Sequence, residues 1–347
     1  MPVRCVGAPG GLDLGAPAAA ELDALRHLGR RFPDAGLRET PVVRAPELDR
    51  RADPSGATRV WLALESLQVT GSFKVRGALV ALHAAGRAGR VVTASAGNHG
   101  AAVVYAARAL GIDATVCVPR TIPRAKRARI EGLGASLQVA PSDHYDDAEA
   151  LALRLAAERG VRFVSAYDDV DVVLGNGASL GFEIARALGR VPARVVAPFG
   201  GGGLCTGLAW ALAADAPDPA TRRVWGAQSE ASCAMARSLE RGEAVTRLET
   251  GGSTLAEGLE GGISASAFAR ARAAVAGVLV VTEPDLAAAM RHAFRELGLA
   301  LEGSAAAALA PVLEGLPPPA RGGDVVAVLT GRNVDPERLH EIVRASA

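Results

Sequence analysis

Short apolar, β-branched runs alternate along this chain with longer segments whose apolar positions recur at helical spacing. The short runs predict strands at 60–64, 91–94, 114–118, 136–139, 162–164, 194–197, 223–227, 278–281 and 324–329. The helical period predicts helices at 74–85, 99–110, 124–133, 145–158, 178–188, 204–213, 284–297 and 304–313. Strands without a polar face, followed by amphipathic helices, imply an α/β protein with mainly parallel sheets. Thr282, Glu283 and Pro284 have the form of a helix start, with a hydroxyl cap and proline in the first turn. Pro and Gly cluster in a predicted loop at 317–323, and residues 1–20, rich in Gly, Ala and Pro, are expected to be loose.

Composition narrows the picture. The 347 residues suffice for two domains, at roughly 150 residues per domain. Apolar residues make up 49% and charged residues 22%, so a sizeable core can form. A net charge of +1 with both signs interspersed argues against a nucleic-acid or anionic-membrane binder. The apolar runs break well short of the ~20 residues that cross a bilayer. No apolar stretch follows a basic start, so no signal peptide is expected and the location is expected to be cytoplasmic. Cys5, Cys117, Cys205 and Cys233 form no Cys-x-x-Cys pair and have no histidine at zinc-ligand spacing. They are expected to be buried or half-buried thiols, with no metal bound.

Of 38 basic residues, two are lysines, Lys74 and Lys126. A guanidinium stays charged and offers no amine nucleophile, whereas a lysine amine can lose its proton and condense with an aldehyde. Lys126 lies in a basic segment that reads as a solvated helix start. Lys74 follows Gly71, Ser72 and Phe73, between a predicted strand and a predicted helix.

Three loops run from a strand into a helix, where open α/β sheets place their ligands: 66–73, 95–100 and 198–203. In the last, Gly200, Gly201, Gly202 and Gly203 precede Leu204 and leave backbone amides uncovered at a helix N-terminus, a cradle for phosphate. Neither a Walker lysine nor the dinucleotide glycine spacing accompanies them. In the second, Ser95, Ala96, Gly97, Asn98 and His99 offer a hydroxyl, an amide, an imidazole and open backbone amides, suited to a carboxylate. An amine beside a phosphate cradle points to pyridoxal 5'-phosphate, with lysine holding the aldehyde and glycines the phosphate.

The run Thr-Gly-Ser-Phe-Lys-Val-Arg-Gly-Ala at 70–78, Ser-Ala-Gly-Asn-His-Gly at 95–100 and Gly-Gly-Gly-Gly-Leu at 200–204 resembles the fold-type II pyridoxal-phosphate enzymes. Within them it is most similar to threonine/serine dehydratases (ammonia-lyases) and serine racemases. Further matches lie at 226–230, 255–258, 302–305 and 330–335, so the resemblance spans roughly residues 38–345. It implies a two-domain, tryptophan synthase β-like α/β fold with mainly parallel, twisted, helix-flanked sheets and the cofactor in the interdomain cleft. Residues 1–86 and 170–347 would form the large, cofactor-binding domain, and 87–169 a small, substrate-gating one.

By the same resemblance, Lys74 forms the Schiff base and shuttles the Cα proton. Phe73 packs on the ring, Asn98 bonds the ring 3′-oxygen, Gly200–Gly203 with Leu204 hold the phosphate, and Thr330 sits near the pyridine nitrogen. Ser95, Ala96, Gly97, Asn98 and His99 line the substrate-carboxylate side. A hydroxyl at Thr330 does not strongly favour a protonated ring nitrogen, which suits β-elimination better than transamination. The implied reaction removes water from an L-threonine- or L-serine-like amino acid to give a 2-oxo acid and ammonia. A homodimer or homotetramer is implied as well.

Several positions depart from the family pattern. Ala96 stands where serine racemases have a proton-donating Ser, which disfavours racemisation. Gln228 stands where some relatives bind a divalent cation through Glu; a neutral amide is a poorer ligand, although Glu230 is nearby. Arg332 replaces a usual Gly and reads either as a second carboxylate reader or as a surface residue. Asn176 and Ala178 replace the more usual Gln and Thr. The alternatives are a racemase or a β-replacement synthase on the same scaffold, and behind them a silent cofactor-binding protein.

Overall fold

Eleven strands lie among the described residues of the computed structural model, which are 3–9, 13, 15–86, 89–95, 97–122, 124–216, 218, 221–248, 254–315 and 322–345. They are β1 (Arg4–Gly7), β2 (Val42–Arg44), β3 (Thr58–Ala63), β4 (Arg90–Ala94), β5 (Asp113–Val118), β6 (Ser136–Val139), β7 (Arg162–Phe163), β8 (Arg194–Pro198), β9 (Val224–Ser229), β10 (Gly277–Val281) and β11 (Gly323–Val328). Seven form one sheet in the order β1-β10-β9-β8-β11-β3-β2, and four form a second in the order β6-β5-β4-β7. The smaller sheet is parallel throughout. The larger one is parallel except at its edges, where β1 and β2 pair antiparallel with β10 and β3.

Side-chain alternation along the central strands supplies two cores. Val325 and Ala327 of β11 face one apolar cluster, and Val326 and Val328 face another. Likewise Leu279 and Val281 of β10 face the first, Val278 and Val280 the second. Every residue of β8 and β10 is buried, as two-sided coverage by helices requires. Helices Glu283–Arg295 and Gly303–Glu314 cover one face; Ser179–Leu188, Gly203–Ala214 and Ala265–Ala274 cover the other. A third cluster packs Val75, Leu79 and Leu82 against Ala102, Val103 and Ala106, so the helix that begins at Lys74 is fixed to the small-sheet helix Asn98–Leu110.

One irregular turn sets the spacing of the site. The chain is helical from Val170, passes through a π-turn at Leu174–Ala178 and continues as Ser179–Leu188. The sequence reading starts this helix at 178. Close approach explains the glycines: a Cβ on Gly175 would lie 2.6 Å from the Arg76 carbonyl oxygen, and one on Gly177 would lie 2.4 Å from that of Leu204. Between them Asn176 Oδ1 accepts the Gly77 N–H at 2.9 Å. The turn thus wedges between the Lys74 helix and the helix that follows the glycine loop; such π-turns recur at functional sites.

Most predicted strands and helices shift by one or two residues at their ends. The expectation of a loose start fails at Arg4–Gly7, which gains its order by pairing with β10. Helices Ala234–Arg241, Ala265–Ala274 and Pro336–Arg344 were not anticipated. Cys5 is exposed, against expectation, while Cys117, Cys205 and Cys233 are buried. Most of the predicted 317–323 loop lies outside the described residues.

Candidate active site

Lys74 is delivered by a loop stitched to the segment after β11. Ser72 bridges Gly331, the Phe73 N–H donates to Thr330 O at 3.1 Å and the Arg332 N–H to Gly71 O at 2.9 Å. Gly71 sits at φ +71°, and a Cβ there would lie 2.4 Å from Asn333 Oδ1. Lys74 then opens the helix Lys74–Ala85. Its Nζ donates to Ala166 O at 3.0 Å and lies 5.0 Å from the centroid of the Phe73 ring. Burial pulls the amine from an ordinary 10.5 down to about 8, opposed by the Glu302 carboxylate. An appreciable neutral fraction therefore exists near neutral pH.

The first turn of that helix is anchored by a buried ion network. The Arg76 guanidinium donates to Glu65 at 2.8 and 3.0 Å, to Glu183 at 2.6 and 3.0 Å, to Ser179 Oγ at 3.1 Å and to Thr40 Oγ1 at 2.7 Å. Arg76 and Glu65 are fully buried and Glu183 nearly so. Two carboxylates share one guanidinium, with Gln68 also donating to Glu65 at 3.2 Å.

The second predicted loop faces the same place. Gly97 precedes the helix Asn98–Leu110, and its N–H donates to Ser95 Oγ at 3.1 Å. Asn98 Nδ2 donates to both carboxylate oxygens of Glu302, at 2.8 and 3.0 Å. Asn98 Oδ1 accepts from Asn333 Nδ2 at 2.6 Å, which also donates to Thr70 O at 3.0 Å. His99 is buried, with Nε2 3.2 Å from Val164 O. Burial and the neighbouring Lys74 charge push its pKa down to about 3, so the ring is neutral. Ala96 lies outside the described residues.

The glycine loop leaves β8 through Phe199 and enters the helix Gly203–Ala214, where Leu204 is buried. Gly202 takes φ +88°, and a Cβ on Gly201 would lie 2.3 Å from Cγ of Tyr167. Tyr167 follows Ala166, the acceptor of the Lys74 amine. One dipeptide therefore contacts both the amine and the glycine loop. Asp168 ties this segment down, accepting from Ser264 Oγ at 3.0 Å, from Ser266 Oγ at 2.8 Å and from Arg270.

Thr330 is buried beside Phe73. Arg332 is half-buried and donates to the Ser66 carbonyl oxygen. Gln228 spends its amide internally, donating to Phe199 O and accepting from Ala236 N, both at 3.0 Å; Glu230 is exposed. Sequence reasoning matched the segments at Glu302 and Asn333 without giving either residue a part, and it passed over Ala166 and Tyr167. The motif around Glu302 was a usable signal, whereas a backbone carbonyl such as that of Ala166 leaves none.

The residues fit pyridoxal phosphate: a half-buried amine of lowered pKa, an aromatic face beside it, and an uncovered helix N-terminus joined to the amine through Ala166 and Tyr167. The family model "Pyridoxal-phosphate dependent enzyme" matches residues 34–331. An L-threonine ammonia-lyase of Thermotoga maritima is 35% identical over 291 residues, covering 82% of this chain and 69% of the relative. The processed form of threonine deaminase isoform 2 from Solanum lycopersicum superposes with a TM-score of 0.83 at 27% identity, covering 99% of this chain and 97% of that one. Maize serine racemase superposes with a TM-score of 0.81 at 25% identity, covering 93% and 97%.

Proposed function

The chain belongs to the family of pyridoxal-phosphate-dependent enzymes, and we propose that it removes water from a β-hydroxy amino acid of the L-threonine or L-serine kind, releasing a 2-oxo acid and ammonia. The observation that carries this is the contact of Ala166 and Tyr167 with the Lys74 amine on one side and Gly201 on the other. The relatives named threonine ammonia-lyase and threonine deaminase support the substrate class.

When bound, pyridoxal 5'-phosphate supplies an electron-withdrawing ring that acidifies the Cα–H bond of the amino acid. Lys74 would hold its aldehyde and, once displaced by substrate, take the Cα proton. A pKa near 8 leaves enough neutral amine for that task. The amides of Gly200, Gly201, Gly202, Gly203 and Leu204 would hold the phosphate, Phe73 one face of the ring and Thr330 the side of its nitrogen. Asn98 would turn from Glu302 to the ring 3′-oxygen. Ser95, Gly97, Asn98 and the main-chain N–H of His99 would receive the substrate carboxylate at this helix start.

Racemisation on the same scaffold is the second reading, favoured by the likeness to maize serine racemase. Ala96 weighs against it, because a methyl group cannot deliver a proton. Residues 87–169 would act as the small gating domain, and a homodimer or homotetramer in the cytoplasm is the expected assembly. Among the described residues no helix is long and apolar enough to cross a membrane. Borohydride reduction of the cofactor-loaded protein followed by peptide mapping tests the assignment. The cofactor should be fixed to the peptide carrying Lys74; its recovery elsewhere defeats the assignment. Release of oxo acid and ammonia tests the reaction.

A further inference from the structure

His99 carries an unused acceptor. The residue is 3% exposed, and Nε2 faces the Val164 carbonyl oxygen at 3.2 Å. A carbonyl oxygen only accepts, so Nε2 bears the proton and Nδ1 a lone pair. Val164 O also accepts from Thr93 Oγ1 at 2.8 Å, which holds it in place. Nδ1 is buried and has no hydrogen-bond partner among the described residues. A substrate carboxylate cannot relieve it, because both are acceptors.

The missing partner is therefore an N–H or O–H that arrives or moves. Lys74 is the neighbouring group with N–H bonds to give, and its charge already acts on the ring. Its present acceptor, Ala166 O, lies two residues along the chain from Val164. Two residues span at most roughly 7 Å, so the anchors of the ring and of the amine are close together.

A neutral amine has two N–H bonds and one lone pair. Unrestrained, it turns about its last C–N bond among three staggered positions, and only one aims the lone pair at a given atom. We propose that His99 Nδ1 and the Ala166 carbonyl oxygen together hold the two N–H bonds of the neutral Lys74 amine and so aim its lone pair at the substrate Cα. His99 is then a positioning residue, not a base. This rests on the reading of Lys74 as the group that takes the Cα proton. The ring must stay neutral for the task, since an imidazolium would present N–H at both nitrogens and repel the amine's charged form.

The ring can be read without turnover. In 15N-labelled protein, the His99 signals should show a protonated Nε2 and a bare Nδ1 throughout the neutral range; a ring protonated at Nδ1, or one titrating at an ordinary histidine pKa, overturns the proposal. For the cofactor-loaded protein, His99→Leu removes the acceptor, while His99→Asn keeps an oxygen close to the Nδ1 position. The Leu variant should lose about 10- to 100-fold in kcat with KM little changed, and the Asn variant should keep most of the rate. A Leu variant as fast as the wild type, or an Asn variant as slow as the Leu variant, also overturns it. Wild-type protein that releases no oxo acid defeats the proposed function instead, and with it the base that His99 would position.

Discussion

The Asn98 side-chain amide lies across the Glu302 carboxylate, donating to its two oxygens at 2.8 and 3.0 Å. Asn98 opens the helix behind the predicted carboxylate loop, and Glu302 precedes the helix Gly303–Glu314. The pair thus joins the small-sheet side of the site to the large-sheet side, next to the Lys74 amine.

Glu302 raises the Lys74 pKa against the larger effect of burial. Glu302→Gln removes that charge, so the amine should titrate below about 8. The pH dependence of amine modification at Lys74 in the cofactor-free protein checks this. A midpoint that stays put or rises contradicts it.

Among the described residues Arg76 is the sole cation paired with the buried carboxylates of Glu65 and Glu183. Arg76→Met should destabilise the fold by about 3–5 kcal/mol, because Glu65 and Glu183 are left buried without a counter-ion. Thermal unfolding should show a drop of roughly 4–7 °C in Tm. A drop of a degree or less would mean that the network contributes little.

His99 makes stability depend on pH in a defined window. Its pKa falls from 6.5 when unfolded to about 3 when folded. Below pH 6.5 the unfolded chain therefore binds a proton that the folded chain refuses, and stability drops as pH falls toward 3, by up to about 1.4 kcal/mol per pH unit. Glu183 and Asp168, whose folded pKa values are lowered from 4.5 and 3.8, lose their stabilising effect only below those values. Urea unfolding between pH 6.5 and 4.5 should thus be steeper in the wild type than in His99→Asn. Equal slopes contradict the buried, neutral ring.

Gly201 has no room for a side chain, since a Cβ would lie 2.3 Å from Cγ of Tyr167. Gly201→Ala should push Tyr167 or the loop aside and weaken cofactor binding by about tenfold or more, measured by absorbance titration of the cofactor-free protein. Unchanged affinity would place the phosphate elsewhere.

Ala96→Ser should raise D/L interconversion of serine relative to oxo-acid release, because the hydroxyl supplies a proton that the methyl cannot. A ratio that stays fixed removes the argument against racemisation.

Regular strand–helix alternation made most of the large elements legible in the sequence, and the helix at 74–85 was read to the residue. Elements defined by partners were not. Arg4–Gly7 is a strand because β10 offers an open edge, and no local pattern in a Gly- and Pro-rich start announces that. The π-turn at Leu174–Ala178 exists because Gly175 and Gly177 let two helices approach, a tertiary fact written as Gly-Asn-Gly. At the site, motif spacing pointed to Lys74, the glycine loop and the Asn98 loop. It did not reveal that Asn98 is held by Glu302 and Asn333, that Lys74 rests on the Ala166 carbonyl, or that Arg332 turns to Ser66 O. Those contacts join segments distant in sequence, two of them through main-chain oxygens that any residue type can supply.

The most direct test of the account is turnover of a panel of β-hydroxy amino acids by the cofactor-loaded protein, beside its Lys74→Ala variant. The account predicts 2-oxo acid and ammonia in equal amounts from L-threonine or L-serine, and none above background from the variant. D/L interconversion without oxo acid, or equal release by the variant, would contradict it.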